Sequence, residues 1–442
     1  MSQIVYRIAR ILQSVLASVP IGTNLGLYGL LWTLLSGRLL LSRGALFPAL
    51  SDFGCNPAQV RRSEAALAYG RFETAQLLAA WQNLVLSEGQ WRAHSHGGYR
   101  PVACDLVGFF RPRLVGCASK HYHSTADKAL PAVVLGMVGA VGSVGKARLC
   151  LPRILQRWEA QAFDEQALMR DTLQKASQGL ADDEAVVVDA GFPLAMLLSL
   201  EVARFVARTD KNFTARRNYL PAYKGRGRRP KYGERVRPLS RTRAKKQIAA
   251  SKPDHTLYWK EQGRRITAHV WYDLVPASKE PGGSGFSCVV IEDPRYKQPW
   301  VLVTNLPHSV SAYNIWRLYR DRWPIEQLPL AAKQMLGAER SFVFGTQSRL
   351  RLPELALFSG NLLSYVAAGS WCVPTGFWDR AARPTCGRLR RWLLRLHFCE
   401  LPVPEGQLRK KASVTEHLPK GVEAHRRQKA IPEPLKKRRK AA

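Results

Sequence analysis

No charged residue occurs from Ile11 to Gly37, and Arg7 and Arg10 stand before that stretch. Gln13, Ser14, Ser18, Thr23 and Asn24 interrupt its apolar run. Pro20 and Gly22 divide it into pieces shorter than the roughly 20 residues a membrane span needs. The pattern predicts two buried helices in place of a signal sequence or a membrane segment. From Leu25 to Leu86 the apolar spacing remains helical, which predicts an α-helical N-terminal domain. Within it a helix ends at the turn Asp52-Phe53-Gly54, and Asn56-Pro57 opens the next as N-cap and first-turn proline. Arg61 and Arg62 fall in the first turns of that second helix. The pair reads either as a helix-turn-helix facing a DNA groove or as two helices joined by a glycine turn.

Beyond the polar loop from His94 to Gly98 the period changes. PVACDLVGFF, RLVGCASKHY and PAVVLGMVGAV read as strands, a helical pattern runs from about Glu159 to Gln178, and EAVVVDAGF reads as a further short strand. Another strand is expected within Arg204 to Arg216. This order places the chain in the α/β class. KGRGRRPKYGERVRPLSRTRAKK, within Arg216 to Lys246, is a mobile basic arm or a solvated surface loop. TLYWK, RITAHVWYDLV, FSCVVIED and WVLVTNL are strands between Gly- and Pro-containing turns, and the pattern turns helical again from about Ser311. The predicted organisation is an α-helical N-terminal domain (1–95), an α/β domain in two parts (96–210 and 301–404), a basic arm with a β-rich insertion between them (211–300), and a basic disordered tail (405–442).

Charge narrows the function. Against 33 acidic residues stand 67 Lys+Arg, a formal net charge of +34, which calls for a polyanionic partner. The basic residues are spread through the chain, which fits a long phosphate backbone better than an anionic membrane surface. The eight cysteines are scattered singly with no C-x2-C pair, as in a reduced cytosolic protein. His94-x-His96 and His121-x-His123 have the spacing of metal pairs, but no further ligand lies at a diagnostic spacing.

Two acids stand out. Asp105 interrupts an apolar strand and Asp189 ends Val186-Val187-Val188. A carboxylate in such a place needs a positive partner. On neighbouring strands the two would repel unless a divalent cation bridged them. Further on, NIWRLYRDRWPIEQLPLAAKQMLGAER carries Tyr319, Arg322, Glu326 and Lys333 in the spacing Y-x2-R-x3-E-x6-K. At roughly 100° per residue these lie within about 60° of one another on an unbroken helix. Pro324 predicts a kink or a new helix start near Trp323, with Trp323, Ile325 and Leu328 on the buried side.

This pattern resembles the Tyr-Arg-Glu-Lys signature of bacterial insertion-sequence transposases of the DDE type, and V-V-V-D-A-G-F resembles their second-acid motif. The resemblance spans about Val102 to Val366 and implies a ribonuclease H-like mixed sheet. It implies that Asp105, Asp189 and Glu326 are the catalytic acids and hold two Mg2+ ions about 4 Å apart, Mn2+ being able to substitute. Tyr319, Arg322 and Lys333 would hold end phosphates, and Trp300, before V-L-V-T-N-L, either packs in the core or stacks on a flipped base. The implied partners are double-stranded DNA, as terminal inverted repeats and target, and a second copy in the synaptic complex. The implied location is the bacterial cytoplasm, at the nucleoid. The chain departs from the family at Leu106 and Val107, where a hydroxyl or glycine residue often follows the first acid, and at Leu330, where some members have a lysine. The rival reading is a catalytically inactive, transposase-derived DNA-binding protein.

Overall fold

Pro20 lacks the N–H a continuing helix needs and Gly22 takes a φ of +91°, so the N-terminal apolar run breaks into α1 (Ser2–Leu16) and α2 (Thr23–Leu35). The computed structural model describes residues 2–20, 22–111, 119–158, 163–223, 225, 227–243, 246–370, 376–380, 382–383 and 385–402. The tail and much of RLVGCASKHY lie outside these residues. The N-terminal helices continue with α3 (Arg38–Leu41), α4 (Leu46–Asp52), α5 (Pro57–Tyr69) and α6 (Thr74–Ser87). Asn56 caps α5, accepting from the Gln59 N–H at 2.9 Å while the Gln59 side chain accepts from the Asn56 N–H at 2.8 Å.

α2 is buried almost all round, as an apolar helix without a polar face must be. It packs on α5 at Gly26, where a Cβ would stand 2.5 Å from the Arg62 carbonyl oxygen. The later helices α11 (Thr346–Ala368) and α12 (Cys386–Leu393) enter the same core, which joins Leu31, Trp81, Phe358 and Leu393. Among the described residues no helix is long and apolar enough to cross a membrane.

The protein is a mixed α/β structure built on one large sheet. Its strands are β1 (Trp91–Ala93), β2 (Arg100–Phe110), β3 (Lys120–His123), β4 (Lys128–Val144), β5 (Ala147–Arg157), β6 (Glu184–Val188), β7 (Phe205–Thr209), β8 (Ala215–Arg217) and β9 (Arg235–Val236), then β12 (His255–Glu261), β13 (Arg264–Pro276), β14 (Phe286–Glu292) and β15 (Trp300–Thr304). β10 (Arg241–Arg243) and β11 (Lys246–Ile248) form a separate hairpin. Helices α7 (Glu165–Gln178) and α8 (Leu194–Ser199) flank β6 in sequence, and α9 (Ala312–Arg320) and α10 (Gln327–Leu330) follow β15.

The main path runs β1-β4-β2-β6-β7-β15-β14-β13-β8-β9, with β5 on β4. β5, β4 and β2 are antiparallel, whereas β2, β6 and β7 are parallel. Two findings were not expected. β5 has no counterpart in the sequence reading, because Pro152 breaks its apolar pattern and Arg148, Arg153 and Arg157 interrupt it. An extra residue opposite Val138 and Gly139 accommodates that proline. The strands of the expected insertion also continue the same sheet through antiparallel β15 on β7. The basic segment is tied down where it starts. Arg217 makes two hydrogen bonds to Asp254, at 2.7 and 2.6 Å, and the Arg216 guanidinium lies 4.7 Å from the Tyr232 ring centre.

The close approach of α2 and α5 yields a direct test. Gly26→Ala should destabilise the fold by roughly 1–3 kcal/mol through overpacking against backbone, read as a lower denaturant midpoint. Gly179→Ala, whose Cβ would meet its nearest neighbour at 3.6 Å, should change it little.

Candidate active site

Alternation along four neighbouring strands builds one face. Val102 and Cys104 of β2 point into the core with α7, whereas Ala103 and Val107 point toward Ile325 and Leu328, and Asp105 shares that second face. On β6, Val186 and Val188 face α7, while Ala185 and Val187 pack on α9, so the next residue of that alternation, Asp189, faces α9. The parallel register pairs Val102 with Val186 and Ala103 with Val187. Carried forward, it sets Asp105 level with Asp189. By the same alternation Arg208 of β7 and Trp300 of β15 fall on this face, beside Val206 and Leu302.

The chain crosses that face after Ser311, whose side chain caps α9. Pro324 does not end the helical path but changes its winding. α9 gives way to a 3-10 turn at Trp323–Glu326, then α10, then a π turn at Ala331–Met335. Trp323 is exposed, while Pro324, Ile325 and Leu328 are buried. The expectation that Trp323 lies on the buried side is therefore corrected.

The three acids meet around Arg322. Its Nη1 lies 3.6 Å from Asp105 Oδ2 and its Nη2 donates to Glu326 Oε1. Asp105 Oδ1 also accepts from the Leu106 N–H at 2.8 Å, and Asp189 Oδ1 from the Gly191 N–H at 2.8 Å. Burial pushes the Asp105 carboxyl up to about 7. The Asp189 charge and, more weakly, Glu326 add to the rise, while Arg322 opposes it. Arg322 Nη1 is buried and makes no hydrogen bond, so the cluster is not a closed structural ion pair.

Tyr319 borders the acids, its ring centre 6.0 Å from the Arg322 guanidinium carbon. Burial raises its hydroxyl pKa; the Arg322 and Arg208 charges and an Arg208 hydrogen bond counter this. Trp300 meets the Tyr319 ring edge-on at 5.2 Å and Tyr296 at 4.6 Å. Lys333 lies farther along β2, donating to the Gly108 carbonyl at 2.6 Å, with Glu339 at 3.5 Å. Phe109 and Phe110 lie about it, with ring centres 5.3 and 5.2 Å from Nζ. Arg61 and Arg62 are exposed on α5, in the helical layer. Arg208 was not singled out in the sequence; the signal was an arginine at the mouth of the apolar strand Phe-Val-Ala-Arg-Thr.

Carboxylate oxygens are the donors that suit Mg2+ or Mn2+, but with Arg322 between Asp105 and Glu326 the oxygens of Asp105, Asp189 and Glu326 do not all lie within 4.8 Å of one another. Neither a protein-family model nor a curated protein matches the chain.

The Asp105 carboxyl supplies a pH test. In the folded protein it keeps its proton to about 7, while the unfolded chain releases it near the ordinary 3.8. Between these values the folded state binds more protons, so this group's effect on stability becomes steadily less favourable as pH rises through the window. Asp105→Asn should therefore raise the melting temperature of metal-free protein, and by more at about pH 8 than at about pH 5. An equal shift at both would contradict the burial of this charge.

Proposed function

We propose that the protein is a DDE-type DNA transposase that cleaves DNA at the ends of a mobile element and joins them to target DNA. The observation that carries this reading is the convergence of Asp105, Asp189, Arg322 and Glu326, from three separate parts of the chain, on one face of the sheet. The ribonuclease H-like class is supported by an antiparallel β2-β4-β5 unit continued by parallel β6 and β7, with acids on the first and at the end of the fourth of these five strands. The charge of +34 supports a nucleic-acid partner.

Asp105, Asp189 and Glu326 would hold Mg2+. Bound there, the metal supplies activation of the attacking oxygen and charge neutralisation at the phosphorus. In the first step water oxygen bonds to phosphorus and the bond to the 3′ oxygen breaks, leaving a 3′-hydroxyl and a 5′-phosphate. In the second that hydroxyl oxygen bonds to a target phosphorus while the bond from that phosphorus to the target 3′ oxygen breaks, and a target 3′-hydroxyl leaves. Arg322 offers a planar fork to a non-bridging phosphate oxygen once released from Asp105. Tyr319 and Trp300 present an aromatic wall beside it, on which a displaced base could stack. The exposed Arg61 and Arg62 would contact duplex backbone, as would the basic segment after Arg216. In this reading the protein works in the cytoplasm on chromosomal DNA, paired with a second copy when two ends are joined.

Incubation with duplexes carrying the element's terminal repeats, with Mg2+, Mn2+ or EDTA, tests it. Wild type should nick in either metal and not in EDTA. Asp189→Ala and Glu326→Gln should reduce nicking to background while end binding persists, since most phosphate contacts lie elsewhere. Binding without metal-dependent nicking in wild type would instead identify an inactive, transposase-derived DNA-binding protein.

A further inference from the structure

A second group of ligating side chains lies across the turn that precedes Arg322. His94 and His96 follow β1, and Asp321 closes α9. His94 Nδ1 is 2.8 Å and His96 Nε2 2.7 Å from the same oxygen, Asp321 Oδ2. Arg148 donates to the other oxygen, Oδ1, and to the Arg320 carbonyl at 2.8 Å. The three ligand atoms lie within 4.8 Å of one another, and among the described residues no other group of three His, Cys, Asp or Glu meets that criterion. The Asp321 side chain is 6% exposed, His96 10% and His94 21%.

Charge neutrality does not account for this arrangement, because Arg148 already neutralises Asp321. Two imidazoles are nonetheless aimed at the one carboxylate oxygen Arg148 leaves open. The loop that carries them is held against α9, since a Cβ on Gly97 would stand 2.9 Å from Asn314 Nδ2.

We propose that His94, His96 and Asp321 form a transition-metal site of the zinc class, distinct from the three carboxylates. Two imidazole nitrogens and one carboxylate oxygen are a donor set for Zn2+ and its neighbours, whereas Mg2+ prefers oxygen alone. With zinc bonds of about 2.0–2.1 Å the ligand atoms of a tetrahedral site stand about 3.3 Å apart, so each histidine need withdraw by only about half an ångström. Three protein ligands leave a fourth position for water. Arg148 fixes the carboxylate so that Oδ2 alone is presented, the outer-shell role that orients a ligand. Asp321 directly precedes Arg322, so metal here clamps the loop after β1 to the end of α9 and steadies Arg322. The proposal does not rest on the transposase reading.

Full-length protein stripped with EDTA, then given excess Mg2+ to fill the carboxylates, is titrated with Co2+ and afterwards with Zn2+. Wild type should show the visible ligand-field bands of four-coordinate cobalt at one equivalent. Zinc should abolish the bands and raise the melting temperature. His94→Ala and His96→Ala should each weaken zinc binding by more than the 10–100-fold that loss of an outer-shell partner costs, while Asp189→Asn keeps the bands. Absence of the bands in wild type would overturn the proposal whatever the variants do. So would bands that survive both histidine substitutions or vanish with Asp189→Asn. Failure of the transposase reading would show instead as absent DNA nicking, with the cobalt spectrum unchanged.

Discussion

Burial of the Asp105 carboxyl beside a second carboxylate, Asp189, on adjacent parallel strands is the constraint around which the site is arranged. Parallel pairing of β2 with β6 sets Asp105 and Asp189 side by side on one face. Burial together with the like charge keeps the Asp105 proton on until about 7. A cation must come to such a place if both are to ionise, and the protein's own cation there is Arg322, delivered by the helix that crosses the sheet. Because Arg322 also holds Glu326, the third acid arrives with it. The change of winding at Pro324 lets one continuous path bury Ile325 and Leu328 while leaving Glu326 among the acids.

That face is only as rigid as the layer behind it. Helices from both ends of the chain share one core against β5. Polar side chains stitch the layers together. Trp81 Nε1 donates to Asn361 Oδ1 at 2.8 Å, and Asn361 Nδ2 donates to the Cys150 carbonyl on β5 at 2.6 Å. Buried Glu354 of α11 accepts from Thr74 of α6 at 2.6 Å and from Arg157 of β5. Satisfied bonds of this kind fix register, since a slip would strand several buried polar groups at once. β5 is held in this way, β4 pairs with β5, and β2 pairs with β4.

Much of this was legible in the sequence, and the reasons differ by element. Asp105 and Asp189 were visible because each is an acid set against an apolar strand, and α5 because Asn56-Pro57 states its own start. Tyr319, Arg322 and Glu326 lie together, but Lys333 lies farther along, at the Gly108 carbonyl, after turns that are neither uniformly α nor evenly wound. β5 was hidden because its arginines pair with Asp321, Glu184 and Glu354 inside the structure, which makes a packed strand look polar. The third partner of His94 and His96 could not be found by spacing, because Asp321 is 225 residues beyond His96 and only the tertiary fold brings it there.

In the transposase reading proposed above, Asp105, Asp189 and Glu326 together hold the divalent metal, and Arg322 is the stand-in cation. Anomalous diffraction from crystals of the protein grown in saturating Mn2+ measures this most directly. The expected result is a manganese peak bounded by the three carboxylates, with the Arg322 guanidinium moved away from Asp105. Crystals with no peak there and Arg322 still between Asp105 and Glu326 would contradict it.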